Sequence, residues 1–128
     1  MQIKTRFSIQ NHWQKRTRSN HFDLRILSPR KNTLYSWAIP KSQFPEEGKK
    51  TLAIRTSNHP VSYMYFQGTL DNGDKVQVYD RGECKVLVYK ENLMIVHFYG
   101  NKINGTYNFI RLVKSENSWL VTKSRKLE

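Results

Sequence analysis

The sequence of 128 residues predicts an all-β fold, a small antiparallel barrel with little helix. Three observations predict it. Short runs of β-branched and aromatic residues recur along the chain, cut by turn residues every ~8–12 positions, as in sandwiches and barrels. No stretch carries three turns of helical periodicity. The regular spacing of the turns favours antiparallel meanders, and closing such a sheet on itself removes exposed edges. The length is that of one domain, residues 1–128, large enough to bury a core without covalent staples.

In order, residues 7–10 form a first strand and residues 13–20 a polar, basic loop. A second strand spans 21–27, and Ser28-Pro29-Arg30-Lys31-Asn32 is a turn. A third strand, 34–39, ends at Pro40, which cannot continue a ladder. Residues 42–50 are a loop, 52–56 an alternating strand, and 63–69 an apolar and aromatic strand. Asn72-Gly73, inside Asp71–Asp74, marks a hairpin because that pair accepts positive φ at low cost. Strands at 75–80 and 83–90 flank a tight turn at Asp80-Arg81-Gly82. Strands at 93–99 and 106–114 flank a turn over 101–105, and 119–122 closes a series of about ten. The end of the chain, with Lys123, Arg125 and Lys126, reads as a frayed basic tail.

Lys and Arg number 22 against 10 Asp and Glu, a net charge of 22 − 10 = +12. Such a balance predicts a polyanionic partner, nucleic acid before an acidic membrane, since no basic amphipathic helix is visible. A single cysteine, Cys84, excludes an internal disulfide, reads as structural, and fits a reducing compartment. No signal peptide or transmembrane span is evident, so the expectation is a cytoplasmic monomer with no membrane partner.

The chemistry concentrates in His21-Phe22-Asp23-Leu24-Arg25-Ile26. On a strand, His21, Asp23 and Arg25 share one face while Phe22, Leu24 and Ile26 share the other. Two imidazoles and a carboxylate make an open metal site, so His21 and Asp23 are candidate ligands with His12 folding back as the third. Arg25 projects on the same face and can clamp phosphate oxygens, and Lys41 can add a point charge. His59 and Tyr63 can stabilise a phosphoryl transition state or protonate a leaving oxygen. His97, within an alternating run, reads as structural. Lys15, Arg16, Arg18, Lys31, Lys41, Lys49 and Lys50 would bind phosphates without sequence preference, and Trp13 and Tyr65 could stack on bases.

Taken together, the motifs resemble the phosphoesterase domain of the end-joining DNA ligase D and its stand-alone relatives. Phe7-Ser8-Ile9-Gln10-Asn11-His12 matches a start of the form FxxQxH, and His21–Arg25 is similar to a His-aromatic-Asp-Phe-Arg strand. Ser36-Trp37-Ala38-Ile39-Pro40-Lys41 is similar to SWAVPK. Leu52–Gly68 follows LAVRVEDHPLEYADFEG, and Val78-Tyr79-Asp80-Arg81-Gly82 follows VWDRG. The resemblance implies a small β-barrel acting on DNA or RNA–DNA 3′ ends beside a DNA ligase and a polymerase. The implied activity is a manganese-dependent 3′-phosphodiesterase and 3′-phosphomonoesterase, with Co²⁺ among alternative metals. It removes a 3′-terminal ribonucleoside, then the 3′-phosphate, leaving a 3′-hydroxyl. It implies His12, His21 and Asp23 as metal ligands, with Arg25, His59 and Tyr63 on the scissile phosphate. Lys41 supports that phosphate, and Gln10 and Ser36 fall at further phosphate-site positions. Two departures stand out. Eight residues, 13–20, separate His12 from His21 where the family has five, so the extra residues are expected to bulge outward. The glycine-rich segment before VWDRG is reduced to residues 71–74.

Two other readings fit parts of the sequence. One is a non-catalytic barrel that binds nucleic-acid ends with a decayed site. The other is an iron oxygenase in which His21, Asp23 and His97 form a facial triad.

Overall fold

Alternation between apolar and polar side chains sets most strands, seen here in a computed structural model that describes residues 2–125. Strands β1 (Ile3–Gln14), β2 (Ser19–Leu27), β3 (Leu34–Ile39) and β4 (Lys50–His59) are followed by a single 3₁₀ turn, Val61–Tyr63. Then come β5 (Gly68–Thr69), β6 (Lys75–Tyr89), β7 (Leu93–Gly100), β8 (Asn104–Arg111) and β9 (Ser118–Lys123). The sheet order is β1-β2-β3-β4-β9-β8-β7-β6, and β6 returns to pair with β1, which closes an eight-stranded antiparallel barrel; β5 extends β6 at its rim. Closure leaves no long open edge.

The barrel interior is filled from alternate positions, among them Phe7 and Ile9 of β1, Phe22, Leu24 and Ile26 of β2, Trp37 and Ile39 of β3, and Phe98 and Phe109. Edge-on ring contacts, such as Phe7 with Phe98 at 4.8 Å, pack this core. Cys84 is buried within it, and burial pushes its thiol up to about 12, which fits the structural role expected.

Several boundaries differ from the sequence expectation. Half of the stretch 13–20 is strand, because β1 and β2 stay paired out to Gln14 and Ser19 and only residues 15–18 form the turn. The strand expected at 63–69 is absent: this segment is a 3₁₀ turn followed by loop, and only Gly68 and Thr69 pair. Its carbonyls find side-chain partners on β1 instead of a neighbouring strand, Ser8 Oγ donating to Met64 O at 2.6 Å. The turn expected at Asp80-Arg81-Gly82 is also absent, since β6 runs through it from Lys75 to Tyr89 with a register shift opposite Ile9 and Gln10. Asp80 serves a distant turn: its carboxylate accepts the backbone N–H groups of Asn101, Lys102 and Ile103 at 2.7–3.0 Å. Gly82 is required because a Cβ there would lie 2.5 Å from the Tyr99 carbonyl oxygen on β7. The expected frayed tail is ordered into β9 as far as Lys123, and Lys126 lies outside the described residues. Among the described residues no helix is long and apolar enough to cross a membrane.

Candidate functional site

The outward face of β1 and β2 carries what the core-facing side does not. Pairing sets Ser8 opposite Arg25, Gln10 opposite Asp23, and His12 opposite His21. Six side chains thus stand on one face in two columns, because residues two apart on a strand point the same way. On the other flank of β2, Arg25 is opposite Ser36 and Asp23 opposite Ala38 of β3. The segment from His59 to Phe66 folds back over this face and buries its inner part. Gln10 is 0% exposed and Arg25 4% exposed, although both are polar.

At the outer end, His12, His21 and Asp23 each offer a ligand atom, and these atoms lie within 4.8 Å of one another. His12 Nδ1 is 3.4 Å from Asp23 Oδ2, and His21 Nε2 is 3.1 Å from Asp23 Oδ1. The two rings stack with centroids 4.6 Å apart. Two imidazoles and one carboxylate converging with solvent access form a donor set that suits a divalent transition ion. The added length between the histidines does not separate them. It lengthens the hairpin beyond them, carrying Lys15, Arg16 and Arg18 to its exposed tip.

Burial opposes the charge on Asp23, but hydrogen bonds with His12 and His21 and the charges of His21 and Arg25 outweigh it, holding the carboxyl well below the usual carboxylate range. His12 is shifted upward, chiefly by the Asp23 carboxylate beside it, against burial, with Asp74 adding to it. The sequence marks Asp74 only as a turn residue, yet its Oδ2 sits 2.7 Å from His12 Nε2. No motif signals that contact, because it joins two hairpins distant in sequence.

Deeper in the face lies a cationic centre. Arg25 Nε donates to Gln10 Oε1 at 2.9 Å, while Gln10 Nε2 donates to the carbonyls of Tyr63 and Phe66. Arg25 Nη2 is 3.7 Å from Asp23 Oδ2, and its guanidinium carbon is 5.2 Å from the centroid of the Tyr63 ring. His59 Nδ1 is 2.8 Å from the Ser57 carbonyl oxygen, a contact that requires Nδ1–H as donor and leaves Nε2 without a proton in the neutral ring. Arg25 Nη1, 3.2 Å away, therefore approaches a neutral imidazole without donating to it. Burial, then the Arg25 charge, lowers the His59 pKa. Burial likewise raises that of Tyr63 and keeps its phenol protonated.

The sequence-predicted residues therefore fall into three groups. His12, His21, Asp23, Arg25, His59 and Tyr63 meet on one face. Gln10 and Ser36 lie beneath it with 0% exposure, Gln10 holding Arg25 and Ser36 flanking His59 (Ser36 Oγ to His59 Nδ1, 3.3 Å). Lys41 is exposed in the turn after β3 and makes no hydrogen bond or ion pair with this cluster. His97 is bonded to Thr106 Oγ1 at 2.7 Å on β7, a strand that does not neighbour β2, so it completes no triad with His21 and Asp23.

The model for the DNA Ligase D 3′-phosphoesterase domain matches residues 10–111. The multifunctional non-homologous end joining DNA repair protein LigD of Mycobacterium tuberculosis is 33% identical over 113 residues, covering 82% of this chain and 14% of that protein. The multifunctional non-homologous end joining protein LigD of Pseudomonas aeruginosa is 30% identical over 131 residues, covering 94% of this chain and 15% of that protein. That of Mycolicibacterium smegmatis is 29% identical over 135 residues, covering 94% and 17%. The chain thus spans less than a fifth of the length of these curated relatives. The match covers Gln10, His12, His21, Asp23, Arg25, His59 and Tyr63, and the chain belongs to the DNA ligase D 3′-phosphoesterase domain family.

Proposed function

We propose that this domain is a divalent-metal-dependent 3′-phosphoesterase of nucleic-acid ends. It removes a 3′-terminal ribonucleoside, a 3′-phosphate, or both, from DNA or RNA–DNA primer ends and leaves a 3′-hydroxyl for a ligase or polymerase of an end-joining system. The observation that carries this reading is the position of Asp23. Its carboxylate faces both imidazoles of the ligand trio and also the Arg25 guanidinium, so a metal ion and a phosphate would be neighbours. Membership of the family supports the reaction class, and the net charge of +12 supports a polyanionic substrate.

His12, His21 and Asp23 would hold the ion, manganese in our reading, with cobalt an alternative for the same donors. When bound, it would supply Lewis-acid polarisation of a phosphoryl oxygen. The remaining steps belong to the protein. Arg25 has Nε committed to Gln10, so its grip on phosphate uses Nη1 and Nη2. His59 is neutral at rest, with Nε2 unprotonated; a phosphate dianion beside it raises its pKa, and the proton gained at Nε2 can pass to the leaving oxygen. Tyr63, kept protonated by its surroundings, can donate to a phosphoryl oxygen as charge builds. Lys41 and the hairpin-tip cations act at longer range, drawing the strand in.

The test is a labelled DNA primer ending in one ribonucleotide, incubated with Mn²⁺ or with chelator. Wild type should trim the end and dephosphorylate it only with metal, and His21→Ala and His59→Ala should be impaired. End binding without turnover under any divalent metal would favour the non-catalytic barrel.

A further inference from the structure

The geometry assigns to Asp74 a role of its own: it is a positioning residue that fixes His12 with the proton on Nε2 and the Nδ1 lone pair turned towards the metal position. This rests on reading His12, His21 and Asp23 as the ion's ligands.

Asp74 belongs to neither strand of the ligand-bearing hairpin. It ends the turn between β5 and β6, where Gly73 N–H donates to Leu70 O at 2.9 Å and Leu70 N–H to Asp74 O at 2.8 Å. The Asp74 N–H donates to Asn72 Oδ1 at 2.9 Å, which orients the residue from within its own turn. Both carboxylate oxygens then cross to the other hairpin. Oδ1 accepts the backbone N–H of Lys15 at 3.0 Å, and Oδ2 meets His12 Nε2 at 2.7 Å. Gly73, at φ +91°, lets the turn pass directly under the Lys15 side chain, where a Cβ would lie 2.6 Å from Lys15 Cδ. Asp74 therefore ties two hairpin tips together, and the imidazole is one of the two points tied.

The consequence for His12 follows from which nitrogen keeps the proton. The ring stands between two carboxylates, Asp74 at 2.7 Å from Nε2 and Asp23 at 3.4 Å from Nδ1. The first distance is that of a charge-assisted hydrogen bond, and the second is beyond a good one. In the neutral ring the proton accordingly stays on Nε2. The Nδ1 lone pair then faces the Asp23 oxygen, acceptor against acceptor, an arrangement that a cation between them relieves. Stacking on His21 fixes the ring plane but not the tautomer. A carboxylate on the far nitrogen of a ligating histidine sets its tautomer and raises its basicity as a donor.

The test uses the metal-free protein first. Two-bond ¹⁵N–¹H correlations, recorded at alkaline pH where His12 is neutral, should show its Nε2–H tautomer in wild type. In Asp74→Ala the proton should move to Nδ1, towards Asp23. Asp74→Asn, which keeps an acceptor, should restore the wild-type tautomer. Mn²⁺ titration followed by electron paramagnetic resonance should then show affinity weakened about 10- to 100-fold in Asp74→Ala. Asn72→Ala, which loosens the turn but keeps the carboxylate, should bind Mn²⁺ nearly as wild type does. An unchanged His12 tautomer in Asp74→Ala, or an equal loss of affinity in Asn72→Ala, would overturn the assignment. Wild type that binds no Mn²⁺ would overturn the metal reading itself, whereas Mn²⁺ binding insensitive to Asp74→Ala would overturn only the role given to Asp74.

Discussion

Gln10 holds Arg25: the side-chain amide oxygen accepts the guanidinium Nε–H at 2.9 Å, and the same amide donates to the carbonyls of Tyr63 and Phe66. One fully buried side chain on β1 thus fixes both the buried cation of β2 and the segment that presents Tyr63. Gln10→Leu would strand the Nε donor and take the side-chain donor from the carbonyls of Tyr63 and Phe66, of which Tyr63 O keeps the Phe66 N–H. It should cost about 1–3 kcal/mol of stability, read by urea unfolding, because buried polar groups lose their partners. Turnover should fall as well, because Arg25 loses the group that orients it.

Arg25→Lys should behave as a drastic change. The replacement keeps charge but removes the fork whose one arm binds Gln10 while the other two nitrogens face the site. The expected loss is about 10²–10³-fold in kcat, the scale for removing one preorganised stabilising donor. Steady-state release of phosphate from a 3′-phosphorylated oligonucleotide measures it, and near-wild-type turnover would contradict the role given to Arg25.

Asp80 should prove structural. It is 5% exposed and accepts N–H groups from Arg81, Asn101, Lys102 and Ile103. Asp80→Ala should destabilise the barrel by about 3 kcal/mol, since several buried donors lose a charged acceptor together. Mn²⁺ affinity of the folded fraction should be unchanged.

The metal-free protein should be most stable in weakly acidic solution. The folded pKa of Asp23 is depressed, so its contribution is present above the ordinary value of 3.8 and is lost as pH falls towards the folded value. The folded pKa of His12 is raised, so its contribution is complete below 6.5 and is lost as pH rises through the folded value. Thermal melts in chelator should peak between those limits. In acid the His12 imidazole gains a second proton, at Nδ1, which Mn²⁺ must displace, so affinity should decline as the solution is acidified.

The extent to which this architecture was legible follows from where each signal resides. His21, Asp23 and Arg25 share a face because strand alternation is a local rule, and the structure keeps them there. Barrel closure follows from the succession of short strands and turns. The cover over Arg25 was not legible: residues 63–66 have the composition of a strand, but the carbonyls of Tyr63, Met64 and Phe66 accept from Ser8 and Gln10, residues more than fifty positions away. Asp80 and Gly82 have the chemistry of a turn because one caps a remote turn and the other admits the Tyr99 carbonyl. The polar composition of residues 13–20 hid the continuation of β1 and β2, which backbone pairing rather than side-chain pattern sustains. Asp74 carried only a turn signal, since its partner His12 is set by the docking of two hairpins.

The most direct test is crystallographic. Crystals grown with Mn²⁺ and measured at the manganese absorption edge should show an anomalous peak bonded to His12 Nδ1, His21 and Asp23, on the side of the site that faces Arg25. A peak elsewhere, or none among those three side chains at saturating Mn²⁺, would contradict the account.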